Sequence, residues 1–134
     1  MSKPELVTIF MDLALRLSGQ SKDSKLKVGC VITDENLERI LGLGWNGGAK
    51  GQSDQRESDE PGQSNLIHAE VNALIKTDYS IPNKVVFLTH APCRVCAKVL
   101  VNAKISKLYY KNMYRDESAL AILKDAGIIV EQWL

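Results

Sequence analysis

Leu6, Ile9, Phe10, Leu13 and Leu17 recur at the three- and four-residue spacing of a helix with one apolar face. Ser2-Lys3-Pro4-Glu5 ahead of them reads as a capping box with proline in the first turn, and Ser18-Gly19 ends the segment. After a polar loop over 20–25 the period changes. Residues 28–32 form a short apolar run, Thr33-Asp34-Glu35-Asn36 is turn-forming, and 39–45 is a second run, so the pattern predicts a hairpin. Gly42 and Gly44 within the second strand predict that another element packs closely against it.

Residues 46–65 are rich in Gly, Ser, Gln and Asp and read as a long loop that ends just before His68. A loop of that length is commonly functional or disordered, and this one is expected to border a site. Beyond it the pattern predicts a helix over 66–76, a strand over 85–88, a helix over 93–103, a strand over 108–110, a helix over 117–124 stopped by Gly127, and a strand over 128–130. The order α-β-β-α-β-α-β-α-β predicts a three-layer α/β fold: a five-stranded mixed, mostly parallel sheet with helices on both faces. The length, 134 residues, suits one domain over 1–134.

Hydrophobic residues make up 45% and charged residues 25%, and the net charge is +1, so no global field draws the chain to nucleic acid or to an anionic membrane. Lys98, Lys104, Lys107 and Lys111 form at most a modest basic strip, read more simply as a solvated face. The first residues carry no long apolar run behind a basic start, and no apolar stretch is long enough to span a bilayer. The expectation is a soluble, cytoplasmic protein. Its three cysteines are an odd number with two in a C-x-x-C pair, which favours metal or redox chemistry over a disulfide framework.

The chemistry concentrates in His68-Ala69-Glu70 and Pro92-Cys93-Arg94-Val95-Cys96. His68, Cys93 and Cys96 give three zinc ligands, and a catalytic zinc keeps its fourth position open for water. Cys93 and Cys96 stand at i and i+3 of a helix start, whose free N–H groups favour thiolates. Glu70, two residues past the histidine, would handle protons beside that water. H-x-E followed by P-C-x-x-C is the pattern of zinc nucleobase deaminases. Zinc-activated water would attack C4 of a cytosine ring while Glu70 moves its proton to N3 and assists the loss of ammonia. The competing readings are a structural zinc knuckle and a redox C-x-x-C. A structural site wants a fourth protein ligand, and the His and Cys residues left for it are His90 and Cys30, the latter in an apolar strand.

At these residues the chain resembles the cytidine deaminase superfamily, and within it the deoxycytidylate (dCMP) deaminases. Ser21-Lys22-Asp23 with Val28-Gly29 is similar to the stretch leading into the family's first strand. Gly44-Trp45-Asn46-Gly47 resembles its G-Y-N-G segment with Trp in place of Tyr. His68-Ala69-Glu70-Val71-Asn72-Ala73 resembles H-A-E-x-N-A, and Thr89 with 92–98 resembles T-x-x-P-C-x-x-C-A-K. Tyr114-Arg115-Asp116 and Asp125-Ala126-Gly127 are similar to its C-terminal elements. The resemblance implies the cytidine-deaminase-like fold, one catalytic zinc, and conversion of dCMP to dUMP with release of ammonia, supplying dUMP for thymidylate synthesis. It implies substrate contacts from Asn46 to the sugar, from Ala69 and Glu70 at the base, and from Tyr114 beside the nucleotide. Ser21, Lys22 and Arg115 are then candidates for the 5′-phosphate, although Lys22 reads equally as solvated surface and Asn46 as a turn residue. It further implies a homo-oligomer, a hexamer in many relatives, with dCTP and dTTP as effectors. The 46–65 segment contains no Cys or His with which to build a second, structural zinc site. Three alternatives stay open: a deaminase of a base within nucleic acid, a deaminase of free cytidine or cytosine, and a non-catalytic zinc or nucleotide-binding module.

Overall fold

A computed structural model of the protein describes residues 3–113 and 117–134. Nine elements among them follow the expected order: α1 (Pro4–Ser18), β1 (Gly29–Thr33), β2 (Ile40–Trp45), α2 (Ala69–Ile75), β3 (Lys84–His90), α3 (Arg94–Asn102), β4 (Ile105–Asn112), α4 (Ser118–Asp125) and β5 (Ile129–Gln132). The strands form one sheet in the order β2-β1-β3-β4-β5. β1 is antiparallel to both β2 and β3, while β3–β4 and β4–β5 are parallel. The sheet is mixed and mostly parallel as expected: β2, β3, β4 and β5 run one way and β1 alone opposes them. The tight turn after β1 reverses the chain into β2, and the three crossovers through α2, α3 and α4 each return the next strand in the same sense. Asp34 sets that turn: its Oδ1 accepts from the N–H groups of Glu38 and Arg39 at 2.8 and 3.0 Å.

The central strand β3 is covered on both faces, which is why it reads as a continuous apolar run. Val85 and Phe87 pack with Phe10, Met11, Ala14 and Tyr109 on the α1 side. The Phe87 ring lies 5.4 Å from that of Phe10 and 5.2 Å from that of Tyr109. Val86 and Leu88 join Ala73, Ala97, Leu100 and Leu123 on the opposite side, under α2, α3 and α4. Truncating a buried leucine here to alanine costs about 2–5 kcal/mol by the usual cavity arithmetic. The close approach predicted at the β2 glycines is that of α2. A Cβ on Gly42 would lie 2.5 Å from the Ala73 carbonyl oxygen, and one on Gly44 2.8 Å from the Ala73 nitrogen.

Several element ends depart from the periodicity, and β4 extends over Ile105–Asn112 where 108–110 was expected. α2 starts at Ala69 rather than 66, because Ile67 forms an antiparallel bridge with Gly47, with hydrogen bonds of 2.8 and 3.0 Å. β3 starts at Lys84, which is buried because its ammonium donates to the carbonyls of Tyr79 and Ala103 at 3.0 and 2.9 Å. Ser2 of the expected capping box lies outside the described residues. Lys3 precedes the helix without a side-chain cap, and its Nζ donates instead to the Asn36 carbonyl at 2.7 Å. No helix among the described residues is long and apolar enough to cross a membrane.

Candidate active site

β2 and β3 run in the same direction with β1 between them, so Trp45 and His90 finish at one edge of the sheet. The chain leaving β3 turns at once into α3, and the chain leaving β2 reaches α2 after the long loop. Asn72 fixes α2 to the end of β2, its Nδ2 donating to the Trp45 carbonyl at 2.8 Å. His68 and Cys93 occupy equivalent places as extended N-cap residues of α2 and α3, with φ, ψ of −72°, 153° and −74°, 171°. Each stands outside its helix beside the unpaired N–H groups of the first turn. His68 Nδ1 lies 3.5 Å from Cys93 Sγ and 3.1 Å from Cys96 Sγ, and the Cys96 N–H donates to Cys93 Sγ at 3.4 Å.

These atoms suit a metal. The three ligand atoms lie within 4.8 Å of one another. Tetrahedral zinc with Zn–S near 2.3 Å and Zn–N near 2.0–2.1 Å separates neighbouring ligand atoms by about 3.5 Å, so little movement is needed. Among the described residues no fourth His, Cys or carboxylate joins the group. Cys30 is wholly buried in the core, and His90 Nδ1 engages Thr89 Oγ1 at 3.1 Å. A ligand set of one nitrogen and two sulfurs with one position open is that of a reactive zinc, not of a closed knuckle.

The protons are arranged to match. Cys93 is drawn down to about 4, chiefly by its hydrogen bond with Cys96. Cys96 is pushed up by that same bond, then by burial and the charge of Glu70. His68 is raised by its hydrogen bond to Cys93, against the effect of burial. The group therefore shares protons that a cation would displace. Glu70, only 3% exposed, lies beside them, and burial pushes its carboxyl up to about 6.

Asn46, His68, Ala69, Glu70 and Cys93 line one cavity of about 560 Å³, counting the part open to solvent. Asn46 is held from three sides. Its Nδ2 donates to Asp23 Oδ2 at 3.2 Å and to the Leu26 carbonyl at 2.8 Å, and its Oδ1 accepts from the Val28 N–H at 2.9 Å. Ser21 is buried, and its hydroxyl accepts from the Asp23 N–H at 3.2 Å. Lys22 is exposed, and neither residue lines the cavity. Tyr114 and Arg115 lie outside the described residues.

The long loop forms the facing wall, contributing Arg56, Gly62 and Ser64. Arg56 went unnoticed in the sequence reading. Its Nη1 donates to Asp23 Oδ2 and Oδ1 at 2.7 and 2.9 Å, and its Nε to the Ser58 carbonyl at 3.2 Å. The two side chains of the pair are 10% and 2% exposed. Burial alone would raise the Asp23 carboxyl, but Arg56 and the Lys25 N–H outweigh it and hold the group below its ordinary value. The available signal was the one arginine in a loop rich in Gly, Ser, Gln and acidic residues, with an aspartate ahead of the first strand.

Residues 4–112 match the family model for the cytidine and deoxycytidylate deaminase zinc-binding region. An uncharacterized deaminase of Aliivibrio fischeri is 35% identical over 109 residues, covering 80% of this chain and 73% of that protein. The deoxycytidylate deaminase of Saccharomyces cerevisiae is 31% identical over 144 residues, covering 98% of this chain and 46% of its own length. The chain thus spans about half of that yeast relative. Among solved structures, the dCMP deaminase of the cyanophage S-TIM5 in complex with dCMP and dUMP superposes with a TM-score of 0.89 at 34% identity, covering 99% of this chain and 100% of that one.

Proposed function

The chain belongs to the cytidine and deoxycytidylate deaminase family, and from that footing we propose that it hydrolyses dCMP to dUMP and ammonia. The observation that carries this reading is the buried Glu70 carboxyl beside the His68, Cys93 and Cys96 ligand group in one cavity. A zinc ion held by those three residues would supply the positive centre that makes water a nucleophile at neutral pH. The chain's own groups do the rest. Glu70 accepts a proton from the attacking water and delivers it to N3 of the ring as the C4–O bond forms. It then passes the second proton to the departing nitrogen as the C4–N bond breaks, so one water is consumed and one ammonia leaves. Burial keeps competing water away from that carboxyl, so the proton is handed to the substrate. Ala69, buried at the first position of α2, presents only a methyl group and leaves room for the base. Both N–H groups of the Asn46 amide are committed to Asp23 and Leu26, so the contact it offers a sugar hydroxyl is its remaining Oδ1 lone pair.

The test is ammonia release by zinc-loaded protein supplied separately with dCMP, dCTP, deoxycytidine and single-stranded DNA. Turnover of dCMP above the others is expected. Silence on dCMP with activity on another substrate would keep the chemistry and overturn the substrate. The same reading carries assembly into several copies, a hexamer by family likeness, and control by dCTP and dTTP. Light scattering and initial rates with and without those nucleotides test both.

A further inference from the structure

A nucleoside monophosphate brings a dianion into the cavity, and a dianion needs donors there. Among the described residues lining the cavity, Arg56 is the only lysine or arginine. Its side chain is nine-tenths buried. Nη1 is taken by both carboxylate oxygens of Asp23 and Nε by the Ser58 carbonyl, whereas Nη2 makes no hydrogen bond among the described residues. No enclosed side-chain nitrogen or oxygen among them lacks a partner, so Nη2 is not sealed in, and Arg56 is one of the residues that line the cavity. A guanidinium drawn this far out of water with two N–H groups unused is held ready for an acceptor.

We propose that Arg56 binds the 5′-phosphate of the nucleotide through Nη2, with Asp23 holding the guanidinium in position. The assignment rests on the dCMP reading above and names the anion contact within it. Asp23 suits the holding role because its carboxylate is already occupied. It accepts from Arg56 Nη1, from Asn46 Nδ2 at 3.2 Å and from the Lys25 N–H at 2.9 Å, which leaves it a fixed acceptor, not a free charge in the path of the phosphate. The same carboxylate orients Asn46, so one buried group sets the spacing between the sugar contact and the phosphate contact. The dianion meets the Nη2 side of the fork, completing a carboxylate–guanidinium–phosphate relay. An ion pair serving only to hold the loop would have no use for an accessible Nη2.

The experiment compares kcat/KM for dCMP and for deoxycytidine in zinc-loaded wild type, Arg56→Gln and Arg56→Lys. Arg56→Gln is expected to lower the value for dCMP roughly 30-fold or more, mainly through KM, since loss of one partner of a desolvated charge contact has at least that effect. The loss on deoxycytidine is expected to be several times smaller, so the preference for the nucleotide collapses. Arg56→Lys, which keeps the charge without the fork, should recover part of that preference. Equal losses on both substrates would make Arg56 a clamp on the loop and overturn the assignment, as would an unchanged preference. If Arg56→Gln fails to fold, Arg56→Lys carries the test, and an undiminished preference in it overturns the proposal. Wild type that leaves dCMP untouched would sink the substrate reading instead. The anion contact is then judged by calorimetry with dUMP and deoxyuridine, where equal affinity for dUMP in wild type and variant overturns it.

Discussion

On one side of the cavity, His68, Glu70, Cys93 and Cys96 stand at the starts of α2 and α3, two helices seated on the sheet and packed into the core. On the other side, Arg56, Gly62 and Ser64 come from an irregular loop joined to the segment before β1 by the Arg56–Asp23 pair. The first wall takes its geometry from regular backbone: an N-cap followed by a helix places a ligand, and residues two and three positions on, without further help. The second depends on one long-range contact. Metal ligation fails when donors move by a fraction of an ångström, so it is built on rigid elements. Recognition of a flexible substituent tolerates more movement, and a loop serves it.

Four experiments break or sharpen that contrast, from the largest expected effect to the smallest. Glu70→Gln should lower kcat by on the order of 10²–10⁴-fold or more while leaving zinc content and circular dichroism unchanged, because it removes the proton carrier and nothing of the scaffold. Wild-type rates in that variant would remove Glu70 from the mechanism. Stripping the metal with a chelator should abolish turnover and lower Tm, and added Zn²⁺ should restore both. Cys96→Ser should bind less than one zinc per chain by atomic absorption.

Disturbing the scaffold comes next. Gly44→Val places atoms against Ala73 and Asn72 of α2, so it should cost about 1–3 kcal/mol in denaturant unfolding and displace His68 and Glu70 with the helix. In the loop, a Cβ on Gly51 meets nothing within 4 Å, and its φ of 80° is the main obstacle to alanine. Gly51→Ala should therefore cost only about 1 kcal/mol and leave zinc content unchanged. Equal losses of zinc in the two variants would erase the distinction between the walls.

The smallest effect concerns acid. The Asp23 carboxyl is held below its ordinary value, so folding is favoured by its ionised form. That stability is present above the unfolded value near 3.8 and is lost as the pH falls through the lower folded value. Arg56→Gln should narrow this dependence. The Tm difference between wild type and variant should be largest near neutrality and shrink below about pH 4. A constant difference across that range would place the stabilising contact elsewhere.

The reactive wall was legible because its information is local. Three ligands and a carboxylate lie in two short stretches, each ahead of a helical period, and the element order followed from where the period switched between helix and strand. Errors arose where a distant partner intervened. Leu66 and Ile67 look helical by spacing, but pairing of Ile67 with Gly47 takes their backbone first. Lys84 looks like a loop residue until the carbonyls of Tyr79 and Ala103 receive its ammonium.

By itself the sequence determined the framework and pointed to the chemistry: a His/Cys/Cys group able to hold a metal with a carboxylate in the same cavity, carried by a mixed α/β sheet. These follow from residue type and from periods of two and 3.6, which a reader of one strand of text can measure. Only the tertiary structure decided which residues share the cavity with the His/Cys/Cys group. Arg56 and Asp23 are separated by 33 positions, and nothing in the local preference of either segment encodes their meeting. That contact exists because the folded sheet brings the two loops to the same edge, where burial makes an unpaired charge costly and a paired one stable.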